Sequence, residues 1–167
     1  MNAHAVMSEA RQPLLRDANA PRRESDTSFS WSDARLLGYT PMDRVHEEFY
    51  STAFALVACT EATAIAALEA FEQHAVDHFR QEDDWMISTD FPPRDCHMHE
   101  HATMLATISD VKARLTDGSG GVKLAQDFGV YLFQWFPGHA DYLDSALAAW
   151  MTKRTLGGTP VVLRRRI

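Results

Sequence analysis

Ionisable side chains set inside apolar helical stripes constrain this chain more than any other feature of its sequence. Over residues 61–87 the hydrophobic positions Ile65, Leu68, Phe71, Ala75 and Phe79 recur at helical spacing, and His78 and Glu82 fall on the same stripe before it continues to Met86. His97 and His101 repeat the arrangement ahead of Leu105, Ile108 and Leu115. A helix turns once in about 3.6 residues, so side chains four apart stand over one another and can aim two ligand atoms at one point. A protein interior accepts such groups when they are paired or bound to metal. With His46, His139 and Asp144 the set comprises five imidazoles and two carboxylates. That is too many for one zinc ion, and it suits two iron or manganese ions bridged by carboxylate oxygens.

The pattern predicts four helices, over 41–59, 61–87, 93–116 and 122–152. Thr40, Pro41 and Asp43 read as the start of the first, and Thr60 with Glu61 as the start of the second. Pro92-Pro93 opens the third, and Asp117-Gly118-Ser119-Gly120-Gly121 is a turn before the fourth. That turn lacks the Gly-Lys-Ser/Thr of a phosphate loop. Long helices with short connections favour an all-α, antiparallel up-down four-helix bundle. Residues 28–152 would form it, between a flexible polar arm (1–27) and a tail (153–167) in which Val161 to Leu163 precede Arg164 to Arg166. Tyr131, Trp135 and Tyr142 are placed on the inner face of the last helix. His139 and Asp144 are five apart, which an ideal helix separates by roughly 140°. They share a site only if side-chain length, axial offset or backbone distortion closes that angle. Pro137, which removes a hydrogen bond to the carbonyl of Phe133, predicts a bend nearby.

Composition narrows the function classes. A net charge of −7 opposes nucleic-acid binding, which needs clustered Lys and Arg against phosphates. No run of about 18 apolar residues predicts membrane insertion, and the polar N-terminal segment lacks the apolar core of a signal peptide. The cytoplasm is therefore the expected compartment. Cys59 and Cys96 are too few for a disulfide framework and read as buried helical thiols. The charged surface suits a monomer, with an exposed helix face leaving a dimer open.

An ordered series of segments then carries a resemblance. It begins with the aromatic-rich stretch around Trp31 and Met42-Asp43-Arg44-Val45-His46, and continues with His78-Phe79-Arg80-Gln81-Glu82-Asp83-Asp84-Trp85-Met86. Phe91-Pro92, His97 and His101 follow, then Trp135, His139 and Asp144. The chain resembles the hemerythrin family, in its bacterial single-domain branch, over about Phe29 to Trp150. The resemblance implies two non-heme iron ions per chain. His97, His101 and His139 would hold one. His46 and His78 would hold the other, which keeps an open position for dioxygen. Glu82 and Asp144 would bridge the pair together with an oxo or hydroxo group. The implied function is reversible dioxygen binding for carriage, storage or delivery, by a binding protein rather than an enzyme. Candidate walls of the oxygen pocket are Trp31, Phe49, Phe79, Met104, Ile108 and Trp135.

Two other classes use the same ligands. One is oxygen or redox sensing through a separate protein partner, docked on the arm or the tail. The other is an oxidase or peroxidase-like di-iron enzyme, although the Glu-x-x-His pairs of ferritin-like oxidases are absent. Among the remaining polar residues, His74 shares the face of His78, where the family more often carries an aromatic such as tyrosine. It is expected to pack or to hydrogen-bond beside the site. His99 is expected to face solvent, His4 lies in the arm, and Asp83, Asp84 and Asp141 read as surface charges.

Overall fold

The computed structural model describes residues 29–162, so the expected arm, with His4, and the terminal arginines lie outside the described residues. A short 3-10 turn, Asp33–Arg35, leads into four helices in up-down order: α1 (Thr40–Val57), α2 (Ala64–Ser88), α3 (Arg94–Thr116) and a fourth rod. That rod is α4 (Val122–His139), a π-helical turn (Ala140–Asp144) and α5 (Ser145–Leu156), without interruption. No strand occurs among the described residues. Each helix packs on its neighbours around the bundle, α1 on α2 and α4, α2 on α3, and α3 on α4.

Local chemistry sets the helix ends, sometimes one turn away from the sequence expectation. Pro41 sits in the first turn of α1, as its fixed φ favours. Asp43 does more than face the helix dipole. It is buried, and its two carboxylate oxygens accept the Leu37 and Gly38 N–H groups at 2.7 and 3.1 Å, which fixes the incoming chain against α1. Thr63 rather than Thr60 precedes α2, with its hydroxyl accepting the Thr60 N–H at 2.9 Å. Glu61 instead reaches across the bundle to accept the Val122 N–H at the start of α4, at 3.1 Å. The last helix runs to Leu156, beyond the expected boundary at 152, and stops where Gly157 takes the left-handed φ of +69° that favours glycine.

The interior has two apolar clusters. The larger includes Phe49, Phe71, Phe79, Met104, Ile108, Phe128, Leu132 and Phe136. The smaller, at the other end, is built on Tyr39, Met42, Met86, Phe91, Leu147 and Met151. Phe49, Phe71, Phe79 and Phe136 are fully buried, and each such side chain stabilises the fold by about 1.5–3 kcal/mol. Ile65, Tyr131 and Tyr142, expected inside, are exposed. Tyr142 lies within the π turn, where the extra residue per turn moves side chains off the α-helical register. Cys59 is buried just beyond α1, whereas Cys96, expected inside, is exposed because its helical neighbour His97 takes the inward direction.

α1 and α4 meet at Gly129. A Cβ there would lie 2.8 Å from the Val57 nitrogen and 2.9 Å from Leu56 Cβ. Replacing Gly129 by alanine is therefore expected to push the two helices apart, costing about 1–3 kcal/mol. Equilibrium denaturation should show it as a lower midpoint, and an unchanged midpoint would refute the close crossing.

Candidate metal centre

The gap between the two apolar clusters is filled by all seven residues singled out in the sequence. α1 contributes His46, α2 contributes His78 and Glu82, α3 contributes His97 and His101, and the fourth rod contributes His139 and Asp144. None is more than 5% exposed. The i,i+4 pairs on α2 and α3 converge as helical geometry requires. For His139 and Asp144 the π turn closes the angle. The Ser145 N–H bonds back to the Ala140 carbonyl, five residues earlier, so side chains five apart are brought over one another. The helix continues through Pro137, and the change of register follows it directly.

The two carboxylates divide the cluster. Glu82 Oε1 lies 3.1 Å from His78 Nε2 and 3.8 Å from His46 Nε2, and Asp144 Oδ2 lies 3.2 Å from His46 Nε2. The opposite oxygens face the other three imidazoles. Glu82 Oε2 is 3.4 Å from His97 Nε2 and 3.3 Å from His101 Nε2. Asp144 Oδ1 is 3.0 Å from His97 Nε2 and 3.2 Å from His139 Nε2. Five Nε2 atoms thus point inward at four carboxylate oxygens. The Nε2 atoms of His46, His97, His101 and His139, Glu82 Oε2 and both oxygens of Asp144 are buried without hydrogen-bond partners. Buried polar atoms are seldom left unmatched, so this donor set fits metal ions. Two groups of ligand atoms are compact enough to hold one ion each: Glu82, His97, His101, His139 and Asp144, and the smaller His46, His78 and Glu82.

Without metal, the same groups hold protons. Burial works against charging His46 and His97, but the adjoining Asp144 and Glu82 carboxylates outweigh it and push both imidazoles up to about 9. Glu82 and Asp144 resist burial's upward push because the surrounding histidines hold them well below the usual carboxylate range. At His139 burial prevails and lowers the pKa.

Aromatic rings seal the cluster. Phe79 stacks on His101 at 4.2 Å between ring centres, and Trp135 stacks on His139 at 4.5 Å. Met104 and Ile108 are buried in the adjoining core, and Phe49 stacks on Phe136 at 4.0 Å. Phe136, absent from the candidate pocket residues, meets His46 edge-on at 4.9 Å. Its position three residues before His139 was the available signal. Trp31 stands one layer out, half-buried, with its ring against Tyr50 at 5.5 Å, and Tyr50 in turn packs on Phe136.

Asp83 corrects a sequence expectation. Rather than a plain surface charge, it lies 2.8 Å from His101 Nδ1. The bond fixes the imidazole tautomer so that Nε2 carries the lone pair turned inward. The Nδ1 atoms of His46, His78, His97 and His139 are buried and unpartnered. His99 is exposed, as expected.

Comparison with known proteins agrees with this geometry. The profile of the Hemerythrin HHE cation binding domain matches residues 37–151. A bacteriohemerythrin of Ralstonia nicotianae is 36% identical over 124 residues, covering 74% of this chain and 89% of that protein. A myohemerythrin of Riftia pachyptila is 27% identical over 122 residues, covering 72% and 92%. No solved structure gives a significant match.

Two outcomes are expected. Asp83→Asn removes the charged acceptor behind His101 and should weaken metal retention about 10–100-fold, measured by chelator competition. Equal retention would show that the Asp83 bond does not support the ligand. In the metal-free chain, His46 and His97 have folded pKa values of about 9, above the ordinary 6.5. Their contribution to stability is complete below pH 6.5 and disappears as the pH rises through 9. The metal-free protein should melt at a lower temperature at pH 9.5 than at pH 6.5, and a higher melting point would contradict the carboxylate pairing.

Proposed function

This chain belongs to the hemerythrin family, and we propose that it binds dioxygen reversibly at a non-heme di-iron centre formed by His46, His78, Glu82, His97, His101, His139 and Asp144. The observation that carries the reading is the division of the two carboxylates, each offering one oxygen to a three-histidine side and the other to a two-histidine side. Glu82 and Asp144 are the bridges in this assignment. His97, His101 and His139 would hold one ion, and His46 and His78 would hold the other with fewer protein ligands. Two irons held there would supply the two electrons that reversible dioxygen binding requires.

The protein's own groups account for reversibility. Neutral imidazoles and charged carboxylates are the ligand forms that loading demands, so the protons held on His46 and His97 leave as metal enters. Phe136, Phe79 and Trp135 lie against His46, His101 and His139, with Phe49 stacked behind Phe136, so apolar rings rather than bulk water face these imidazoles. Excluding water limits proton leakage and side reactions in a closed site. The reading is a binding protein, not an enzyme, serving carriage, storage or delivery of oxygen.

The test is direct. The purified chain should carry two irons. Reduced without air and then exposed to dioxygen, it should develop a visible charge-transfer band that vanishes when dioxygen is removed and returns on re-exposure. Iron with an irreversible spectral change would move the reading to a sensor or a di-iron enzyme, and a chain that takes up no iron would reject it.

A further inference from the structure

The ligand cluster is sealed, yet one cavity reaches it. A surface pocket of about 500 Å³ between α1 and α2 is lined by Glu48, His74, Asp77, His78 and Asp84 among others, so its wall includes one of the inward-facing imidazoles. Three carboxylates give the pocket a negative rim. Arg80, also in the lining, is engaged with Asp77 at 2.9 Å. Three carboxylates against one guanidinium leave the lining net negative, and a negatively charged cleft concentrates cations.

His74 is the group at that floor that the proposed centre leaves unused. Its side chain is only 10% exposed, and its Nδ1 lies 4.0 Å from Glu48 Oε2, beyond hydrogen-bond range. Its Nε2 is buried without a partner. Imidazole and carboxylate together are a divalent-metal donor pair. Two ligands on one ion stand about 3 Å apart, and Glu48, whose side chain is 71% exposed, is free to close that distance. His74 is also one helical turn from His78, ring centres 5.6 Å apart, and His78 is one turn from Glu82. A ladder of donors along one face of α2 therefore runs from the pocket into the cluster.

We propose that His74 and Glu48 form a transit site that captures hydrated Fe(II) from the pocket and hands it to His78. The proposal rests on the di-iron reading. Two protein ligands leave the remaining positions to water, so the ion is held weakly and moves on.

Metal-free full-length chain would be mixed with Fe(II) without air, and uptake followed by quenching unbound Fe(II) with a coloured chelator. His74→Phe and Glu48→Gln should still fill to two irons per chain, but about tenfold more slowly, the loss expected when a focusing pair is removed. In the iron-filled chain, Mn(II) titration read by electron paramagnetic resonance should show one additional weak site that both variants lack. Wild-type uptake rates in both variants, or a retained Mn(II) site, would overturn the proposal. Glu48→Gln, at an exposed position, keeps the test decisive if His74→Phe loses helicity. A wild-type chain that takes up no iron would overturn both this proposal and the di-iron reading, whereas two irons at unchanged rates would overturn the transit site alone.

Discussion

Seven ionisable side chains buried in one layer are the constraint on which the rest of the bundle depends. Each is at most 5% exposed, and most of their inward nitrogen and oxygen atoms have no hydrogen-bond partner. Moving such groups out of water costs several kcal/mol apiece unless something compensates. Mutual pairing compensates part of it, as the raised imidazoles of His46 and His97 and the depressed carboxyls of Glu82 and Asp144 record. Metal ions would compensate the rest by matching donors that protons leave unmatched. The apolar clusters on either side then act as clamps. Phe49, Phe79 and Phe136 hold the layer from one end, and Met42, Met86 and Leu147 from the other.

The layer also explains why the fourth rod changes helical type. An α-helix offers one stripe, and a stripe serves ligands four apart. The fourth rod presents ligands five apart, and a single π turn resolves the mismatch without breaking the rod. Its effect is local. Upstream, Phe128, Leu132 and Phe136 keep an α-helical stripe against the core, and downstream Leu147 and Met151 resume one. The two halves are simply rotated relative to each other about the site.

Around the cluster, charge is arranged unevenly. Asp83 stands behind His101 and orients it, while on the α1–α2 side Glu48, Asp77 and Asp84 face an open pocket with His74 beneath them. Burial and the neighbouring His78 and His46 hold His74 down to about 4, so its ring is neutral near pH 7. One side of the cluster is thus supported by a carboxylate and the other is approached through a negatively lined opening.

The sequence by itself determined which ligands pair within α2 and within α3. Periodicity placed His78 with Glu82 and His97 with His101, because a helical repeat fixes relative direction along one chain segment. The same logic found the four helices to within about one turn, the usual reach of local signals. The tertiary structure decided what depends on the other segments. Glu61 reads as a local cap and is drawn instead to the amide of Val122. Asp83 reads as a surface charge and acquires His101, which lies 18 positions away. Phe136, which local spacing did not single out as a pocket wall, meets His46 edge-on, while Trp31 packs on Tyr50, which in turn packs on Phe136. The convergence of His139 with Asp144 needed a backbone distortion that composition does not signal, since a π turn is stable only where surrounding contacts hold it. Local periodicity is written in one segment at a time, whereas partners across the bundle are set by how the helices rotate and pack.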